Sequence, residues 1–236
     1  MQTSGRRVPE RCSQCNYREL RLFCNLSDDA LRHFDEIGTY VSFPGRVIVL
    51  DEGQPASSIF VVCTGQLKLS TTSREGRTLI LKIAGPGDVL GLSATLNHMP
   101  NEVTAETLAP SQLKSIRRDD FRDFLESHSQ VSQKTAQVLA REYQEVFLDA
   151  RRLALAGSAA GRLSRLLLDW ARNSNCNPTE LRFTMALTHE ELANMAGASR
   201  ETITRLLNKF ERDKMIVRRG ASITILQPAL LEQAAE

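Results

Sequence analysis

The 236 residues allow one large or two ordinary domains, and 42% hydrophobic with 25% charged residues is the balance of a soluble globular chain, which excludes disordered and membrane-embedded classes. A formal net charge of +2 gives no global pull toward nucleic acid or membrane, so any such attraction has to be local. Residues 1–10 are polar without an apolar core of signal-peptide length, and no later run approaches the ~20 apolar residues of a membrane span, so the expected location is cytoplasmic with no membrane partner.

Cys12, Cys15 and Cys24 crowd the amino terminus, followed by Cys63 and Cys176. In a reducing compartment this density favours metal or redox chemistry over a disulfide framework, and residues 1–25 read as a cysteine-bearing arm. Ser27 is suited to cap a short helix carrying Leu31 and Phe34. From Gly38 to about Arg117 the period becomes alternating, as in Tyr40-Val-Ser-Phe43, Ile59-Phe-Val-Val-Cys63 and Gln112-Leu-Lys-Ser-Ile116, with glycines between the runs. Residues 26–128 therefore predict an antiparallel β-roll or jelly roll, with its clearest hairpin from Gln66 to Ile83.

Helical pattern resumes near Asp119, and a long element over 129–156 runs from Ser129 to Leu155 without proline or glycine. Ala136, Leu139, Tyr143, Val146, Ala150 and Leu153 fall at alternating spacings of three and four, the seam of a homodimer; the alternative is a stripe packed on the chain's own β-roll. Glu142, Glu145 and Asp149 flank this seam, either as solvated positions or as like charges that weaken the dimer.

Gly157 to Gly161 reads as a hinge opening a domain over 157–236. Arg162 to Ala171 is amphipathic with Leu163, Leu166, Leu167 and Trp170 inward, Asn173 to Pro178 is a turn, and Leu181 to Met185 is a strand. Leu192, Ala193, Met195 and Ala196, then Gly197, then Ile203, Leu206, Leu207 and Phe210 make two short helices joined by a tight turn, a helix-turn-helix. Thr188 with Glu191 is a capping box, and Ser199 a second N-cap. The opposite face of the second helix carries Arg200, Glu201, Thr204, Arg205 and Asn208, suited to base edges in a major groove; a solvated face with Glu201 and Arg205 paired is the bland alternative. Thr188, Ser199, Thr202 and Arg219 complete the candidate DNA contacts, and a hairpin turning at Gly220 forms a wing on which Arg218 and Arg219 can meet phosphate. The fold class expected is α+β: β-roll, long dimerisation helix and winged helix-turn-helix.

That order, with Gly85-Pro-Gly-Asp-Val-Leu-Gly91 in the roll and Leu187 to Leu207 in the carboxy-terminal domain, resembles the CRP/FNR superfamily of bacterial transcription regulators from about residue 20 onward. The resemblance implies a homodimer on a pseudo-palindromic double-stranded DNA operator, with RNA polymerase as a further partner. It also implies base contacts from the positions of Arg200, Glu201 and Arg205, the arginines donating to guanine and Glu201 accepting from cytosine, on a TGTGA-like or hybrid half-site.

For the signal, the segments that hold a cyclic nucleotide in this family match Gly91 to Leu96 and Asn101 to Ala105, with Leu92 in place of the ribose-binding Glu, Glu102 in place of the phosphate-binding Arg and Val103 in place of Ser. A cyclic nucleotide is therefore not expected. Cys12-Ser-Gln-Cys15 with Cys24 instead resembles the arm of oxygen-sensing members that bind a [4Fe-4S] cluster. Those members carry a fourth cysteine on a later strand, at about the position of Leu113, so Cys63 is the substitute candidate here. Structural zinc on Cys12, Cys15, Cys24 and His33, a thiol-disulfide switch, or another small effector remain as alternatives. An enzyme is not expected: His33, His98, His128 and His189 stand in unrelated contexts, and Gly85-Pro-Gly-Asp88 is too short to cradle phosphate. A ligand-binding module without DNA activity leaves the face from Arg200 to Arg205 unexplained.

Overall fold

The computed structural model describes residues 11–15, 18–21, 23–76, 78–155, 158–174, 181–185 and 187–235. Two single helical turns, Cys12–Gln14 and Arg18–Leu20, precede α1 (Asp28–Ile37), whose first turn is capped by the Ser27 hydroxyl accepting the Ala30 N–H. Then follow β1 (Gly38–Phe43), β2 (Ile48–Leu50), β3 (Ser58–Thr64), β4 (Leu67–Thr72), β5 (Thr78–Ala84), β6 (Val89–Leu90), α2 (Leu92–Asn97), β7 (Thr104–Thr107) and β8 (Ser111–Arg117). They form two four-stranded sheets, ordered β1-β8-β3-β6 and β2-β7-β4-β5.

Alternation along β3 and β8 sends neighbouring side chains to opposite faces. Val62 and Leu113 join Leu50, Leu67, Ala84, Leu90 and Ala105 in a core drawn from both sheets. Val61 and Ile116 turn the other way, into a second core with Cys12, Phe23, Cys24, Leu31, Phe34, Phe121, Phe124 and Val131. The arm and α1 thus cover the outer face of the first sheet, together with α3 (Arg118–Ser127) and the start of α4 (Ser129–Leu155). Val138 and Leu139 of α4 pack against this same core. The chain turns between α3 and α4 at His128, whose Nε2 lies 3.0 Å from His33 Nδ1, so two histidines unrelated in sequence meet.

The remaining elements are α5 (Ala159–Ser174), β9 (Arg182–Thr184), α6 (His189–Ala196), α7 (Arg200–Arg212), β10 (Ile216–Arg219), β11 (Ser222–Ile225) and α8 (Pro228–Ala234). Leu163, Leu167, Phe183, Leu192, Ile203, Leu207, Phe210, Ile223 and Leu231 are buried in this part, and the three strands order as β10-β11-β9. Three expectations are corrected. The segment read as a hinge has become helix by Ala159, with Ser158 accepting the Gly161 N–H at 3.2 Å; Gly157 lies outside the described residues. Leu166 and Trp170, read as inward, are only half-buried, because Leu168 takes up part of the buried face. Of the segment read as a turn from Asn173 to Pro178, Asn173 and Ser174 belong to α5, and residues 175–178, with Cys176, lie outside the described set.

Compact packing divides the chain into two units at Val146 and Phe147, inside α4, with Thr78–Ile80 grouped with the second. Among the described residues no helix is long and apolar enough to cross a membrane.

Candidate DNA-reading face and cysteine arm

The helix-turn-helix is held by its ends. Thr188 Oγ1 accepts the Glu191 N–H at 3.2 Å while the Glu191 carboxylate accepts the Thr188 N–H at 2.8 Å, closing the capping box at the start of α6. At the other end Gly197 takes φ +57°, a conformation that costs a side-chain-bearing residue strain, and the Arg162 guanidinium donates to the carbonyls of Ala196 and Gly197. Ser199 then opens α7, accepting the Thr202 N–H at 3.2 Å.

With Ile203, Leu207 and Phe210 buried, Arg200, Glu201, Arg205, Asn208 and Lys209 are exposed on the far side of α7. The structure gives Thr188, Ser199 and Thr202 a helix-end role and leaves Arg200, Glu201 and Arg205 outward. Glu201 is held below the ordinary carboxylate range by its own backbone N–H and the Ser199 hydroxyl, so it presents an acceptor. Thr204 is engaged locally: its hydroxyl donates to the Arg200 carbonyl at 2.9 Å, and His189 Nδ1 lies 2.9 Å from the same oxygen. Since that hydroxyl proton is used, His189 must donate from Nδ1. Burial, then the charges of Arg218 and Arg200, push His189 down, favouring a neutral ring that keeps its proton on Nδ1.

Arg219 is exposed on the wing, but Arg218 differs from expectation. Its guanidinium donates to Glu211 at 2.6 Å and to Asn208 at 2.8 Å, tying the wing to α7 instead of standing free for phosphate. Spacing in the sequence does not connect a wing arginine with a helix carboxylate, so this contact was not legible there.

On α4, Leu139 is half-buried against the arm core, whereas Ala136, Tyr143 and Val146 are exposed. Phe147, which the heptad reading missed, is exposed beside Val146. The side chains of Ala150, Leu153 and Asp149 lie outside the described set. Glu145 pairs with Lys82 and Arg141, each at 3.0 Å, so it is neither a free repulsive charge nor a merely solvated flank.

At the other end of the chain, Cys12, Cys24 and Cys63 are buried and Cys15 half-buried, all as free thiols. Cys63 falls at a register shift of β3 against β8, between Val62 and Thr64. Arg21 of the arm donates to the Cys63 carbonyl at 3.1 Å, and the Cys24 N–H donates back to the Arg21 carbonyl at 3.1 Å. Burial, with Cys12, Cys63 and Cys15 adding and Arg21 opposing, pushes the Cys24 thiol up to about 12. Burial and Cys12 likewise push Cys63 up to about 12, against Arg21 and Lys114.

Leu113, expected near the place of a fourth cysteine in oxygen-sensing members, points into the roll; its neighbour Lys114 is the β8 residue that faces the arm, with Nζ 3.5 Å from Cys12 Sγ. His33 is turned to His128 and stacks edge-on against Phe124, so it does not join the thiols as the zinc reading requires. Among the described residues no three His, Cys, Asp or Glu side chains converge as ligands of a single metal ion. A four-iron cluster has a different demand, since each thiolate binds its own iron.

In the segments that match the cyclic-nucleotide site, Leu92 is buried at the start of α2, and Glu102 is exposed, accepting from the Ser93 hydroxyl at 3.0 Å. Exposure screens the repulsion a phosphate would meet from several kcal/mol to about 1 kcal/mol at 4 Å in water. The field nearby is nonetheless acidic: Glu142 is raised by burial and, against Lys82, by the carboxylates of Asp88, Glu145 and Glu102.

A β-roll followed by a long helix and a winged helix-turn-helix with a polar, arginine-bearing outer face defines a DNA-binding transcription regulator. Residues 40–128 match the family model described as cyclic nucleotide-binding domain, and residues 161–234 match the Crp-like helix-turn-helix domain. The chain belongs to the CRP/FNR family of transcription regulators and is not an enzyme. It is similar to a CRP-like cAMP-activated global transcriptional regulator of Mycobacterium tuberculosis, 29% identical over 196 residues that span 83% of this chain and 87% of the relative. It is also similar to the nitrogen fixation regulation protein FixK of Bradyrhizobium diazoefficiens, 25% identical over 225 residues, 95% of this chain and 93% of that one. The structure of FixK2 from Bradyrhizobium japonicum shares the fold with a TM-score of 0.75 at 20% identity, covering 85% of this chain and 98% of its own.

Proposed function

We propose that this CRP/FNR regulator is controlled by an oxygen or redox signal through a [4Fe-4S] cluster on Cys12, Cys15, Cys24 and Cys63, and that it reads a pseudo-palindromic operator as a homodimer in partnership with RNA polymerase. The observation that carries the signal is the docking of the arm on β3: Arg21 donates to the Cys63 carbonyl, and Cys12 and Cys24 enter one core with Val61. Four soft thiol donors with two cations beside them, Arg21 and Lys114, suit a thiolate-ligated cluster of net negative charge. When bound, such a cluster supplies a group whose integrity depends on oxygen.

The alternatives are less well supported by the same site. A thiol-disulfide switch joining Cys12 to Cys15 or Cys24 would start from Cys12 and Cys24 thiols that burial pushes up, and a protonated thiol is a slow nucleophile. Zinc loses its fourth donor to the His33–His128 pair. Leu92 and the acidic surroundings of Glu102 disfavour a cyclic nucleotide.

In the DNA complex Arg205 and Arg200 donate to guanine and Glu201 accepts from cytosine, while Arg219 meets phosphate. Tyr143, Val146 and Phe147 supply the exposed apolar seam for a second copy. The test is anaerobic purification followed by iron and sulfide analysis, absorption spectroscopy and operator binding before and after air. Iron and sulfide near four per chain, with binding that changes in air, supports the reading; a colourless, iron-free preparation that binds fully overturns it, and one zinc per chain promotes the structural-metal alternative.

A further inference from the structure

Lys114 is an anomaly of the fold. It sits on β8 between Tyr40 of β1 and Val61 of β3, its side chain wholly buried. Placing an ammonium there is costly before pairing, and an apolar residue of similar volume often serves stability as well or better. The surroundings are nevertheless built for the charge. Nζ donates to Asp35 Oδ1 at 2.6 Å and lies 4.7 and 4.8 Å from the rings of Phe34 and Tyr40. At Gly38 a Cβ would fall 2.2 Å from Lys114 Cε, so this glycine leaves the passage through which the side chain runs.

Two contacts connect the cation to the arm. Nζ lies 3.5 Å from Cys12 Sγ, and the same sulfur is 3.2 Å from the Tyr40 hydroxyl. Asp35, held by Lys114, accepts the Cys12 N–H at 2.8 Å and the Ser13 N–H and hydroxyl at 3.3 Å each. The ion pair therefore grips the backbone of the first cysteine with one member and addresses its sulfur with the other.

We propose that Lys114 is a positioning residue of the sensor, a buried cation that, with Asp35, seats Cys12 and offsets the negative charge of a thiolate-bound cluster. This rests on the cluster reading given above. A cation near the sulfurs favours the reduced, more negative state, and hydrogen bonds and net charge around a cluster set its potential. Removing the lysine leaves Asp35 uncompensated, so both changes act in the same direction. Removing the carboxylate leaves Lys114 unopposed and acts in the other.

The experiment compares full-length wild type, K114M, D35N and the D35N/K114M pair, each reconstituted with iron and sulfide without oxygen, by metal content and spectroelectrochemical midpoint potential. The expected order is D35N above wild type, the double variant below wild type and K114M lowest. A packing role would shift both single variants the same way, so same-signed shifts, or none, overturn the inference while leaving the cluster in place. If K114M fails to fold, D35N and the double variant still decide the sign. Wild type that takes up no iron and sulfide overturns the cluster reading and this inference together.

Discussion

Replacing Arg205 with alanine isolates the reader from everything that supports it. Arg205 is exposed on α7, and among the described residues it has no ion-pair or hydrogen-bond partner, in contrast to Arg218. Alanine is also at least as good a helix former, so the fold loses nothing of consequence. A well-aligned arginine–guanine pair is worth about 1–3 kcal/mol of discrimination, about 5- to 150-fold in affinity for one half-site. A homodimer loses it twice, about 2–6 kcal/mol over a full operator if the half-sites are independent. The assay is fluorescence anisotropy on an operator duplex and its single-base variants over a salt series. R205A should bind the intact operator more weakly, lose its preference at one guanine per half-site and keep its melting temperature. Arg219→Ala should weaken all duplexes alike and flatten the salt dependence by about one unit per contact. If R205A retains full affinity and base preference, Arg205 does not read the operator and the face assignment fails.

Val146→Asp puts a charge into an exposed apolar group with Tyr143 and Phe147, each worth about 1.5–3 kcal/mol when buried, and light scattering should find the dimer at least about 100-fold weaker; an unchanged dimer moves the interface elsewhere. Thr188→Ala breaks the capping box of α6 and should cost about 1 kcal/mol of stability in the carboxy-terminal unit by thermal melting, with no change in metal content. Asp35 would be raised by burial, but hydrogen bonds from Lys114, Cys12 and Ser13 with the Lys114 charge hold its carboxyl below the ordinary value. Its contribution is therefore present in full above about pH 4 and is lost as pH falls through the depressed folded value, so wild type and D35N should converge in denaturation midpoint only in acid.

Period and capping are local signals, and where they decide the structure the sequence is easy to read. The α4 limits at Ser129 and Leu155, the two caps of the helix-turn-helix and the alternation of β3 and β8 all follow from neighbours within a few residues. What stayed hidden depends on contacts far along the chain. Lys114 in Gln112-Leu-Lys-Ser-Ile116 reads as the solvent side of a strand, yet Ile116 lies on the same side and is fully buried. Apolar residues on both faces of β8 were the available sign that a second layer covers it. The turn of Arg218 onto Glu211 and the meeting of His33 with His128 carried no such sign, because each joins elements whose approach is set by the tertiary fold. Short α2 and α8 were missed because one or two turns show too few repeats to define a period.

On the proposed reading, α4 links the two demands placed on the sensory unit. Val131, Val138 and Leu139 pack into the core that holds Cys12 and Cys24, while Tyr143 and Val146, four and seven residues beyond Leu139, continue the same stripe into the open. A helix presents both stretches at fixed angles, so it cannot reseat its first turns without rotating the later ones. If the arm loosens, the side chains under Val138 and Leu139 lose partners and the orientation of Tyr143 and Val146 is no longer fixed from below. Two copies then lose a preorganised seam, and dimerisation weakens without any change at the seam itself. This makes a specific demand on Leu139: alanine there should weaken the air-sensitive difference in dimerisation more than it weakens the dimer under reducing conditions, measured by sedimentation with and without oxygen. Equal losses in both conditions would mean that α4 serves the interface alone and that the arm communicates by another route.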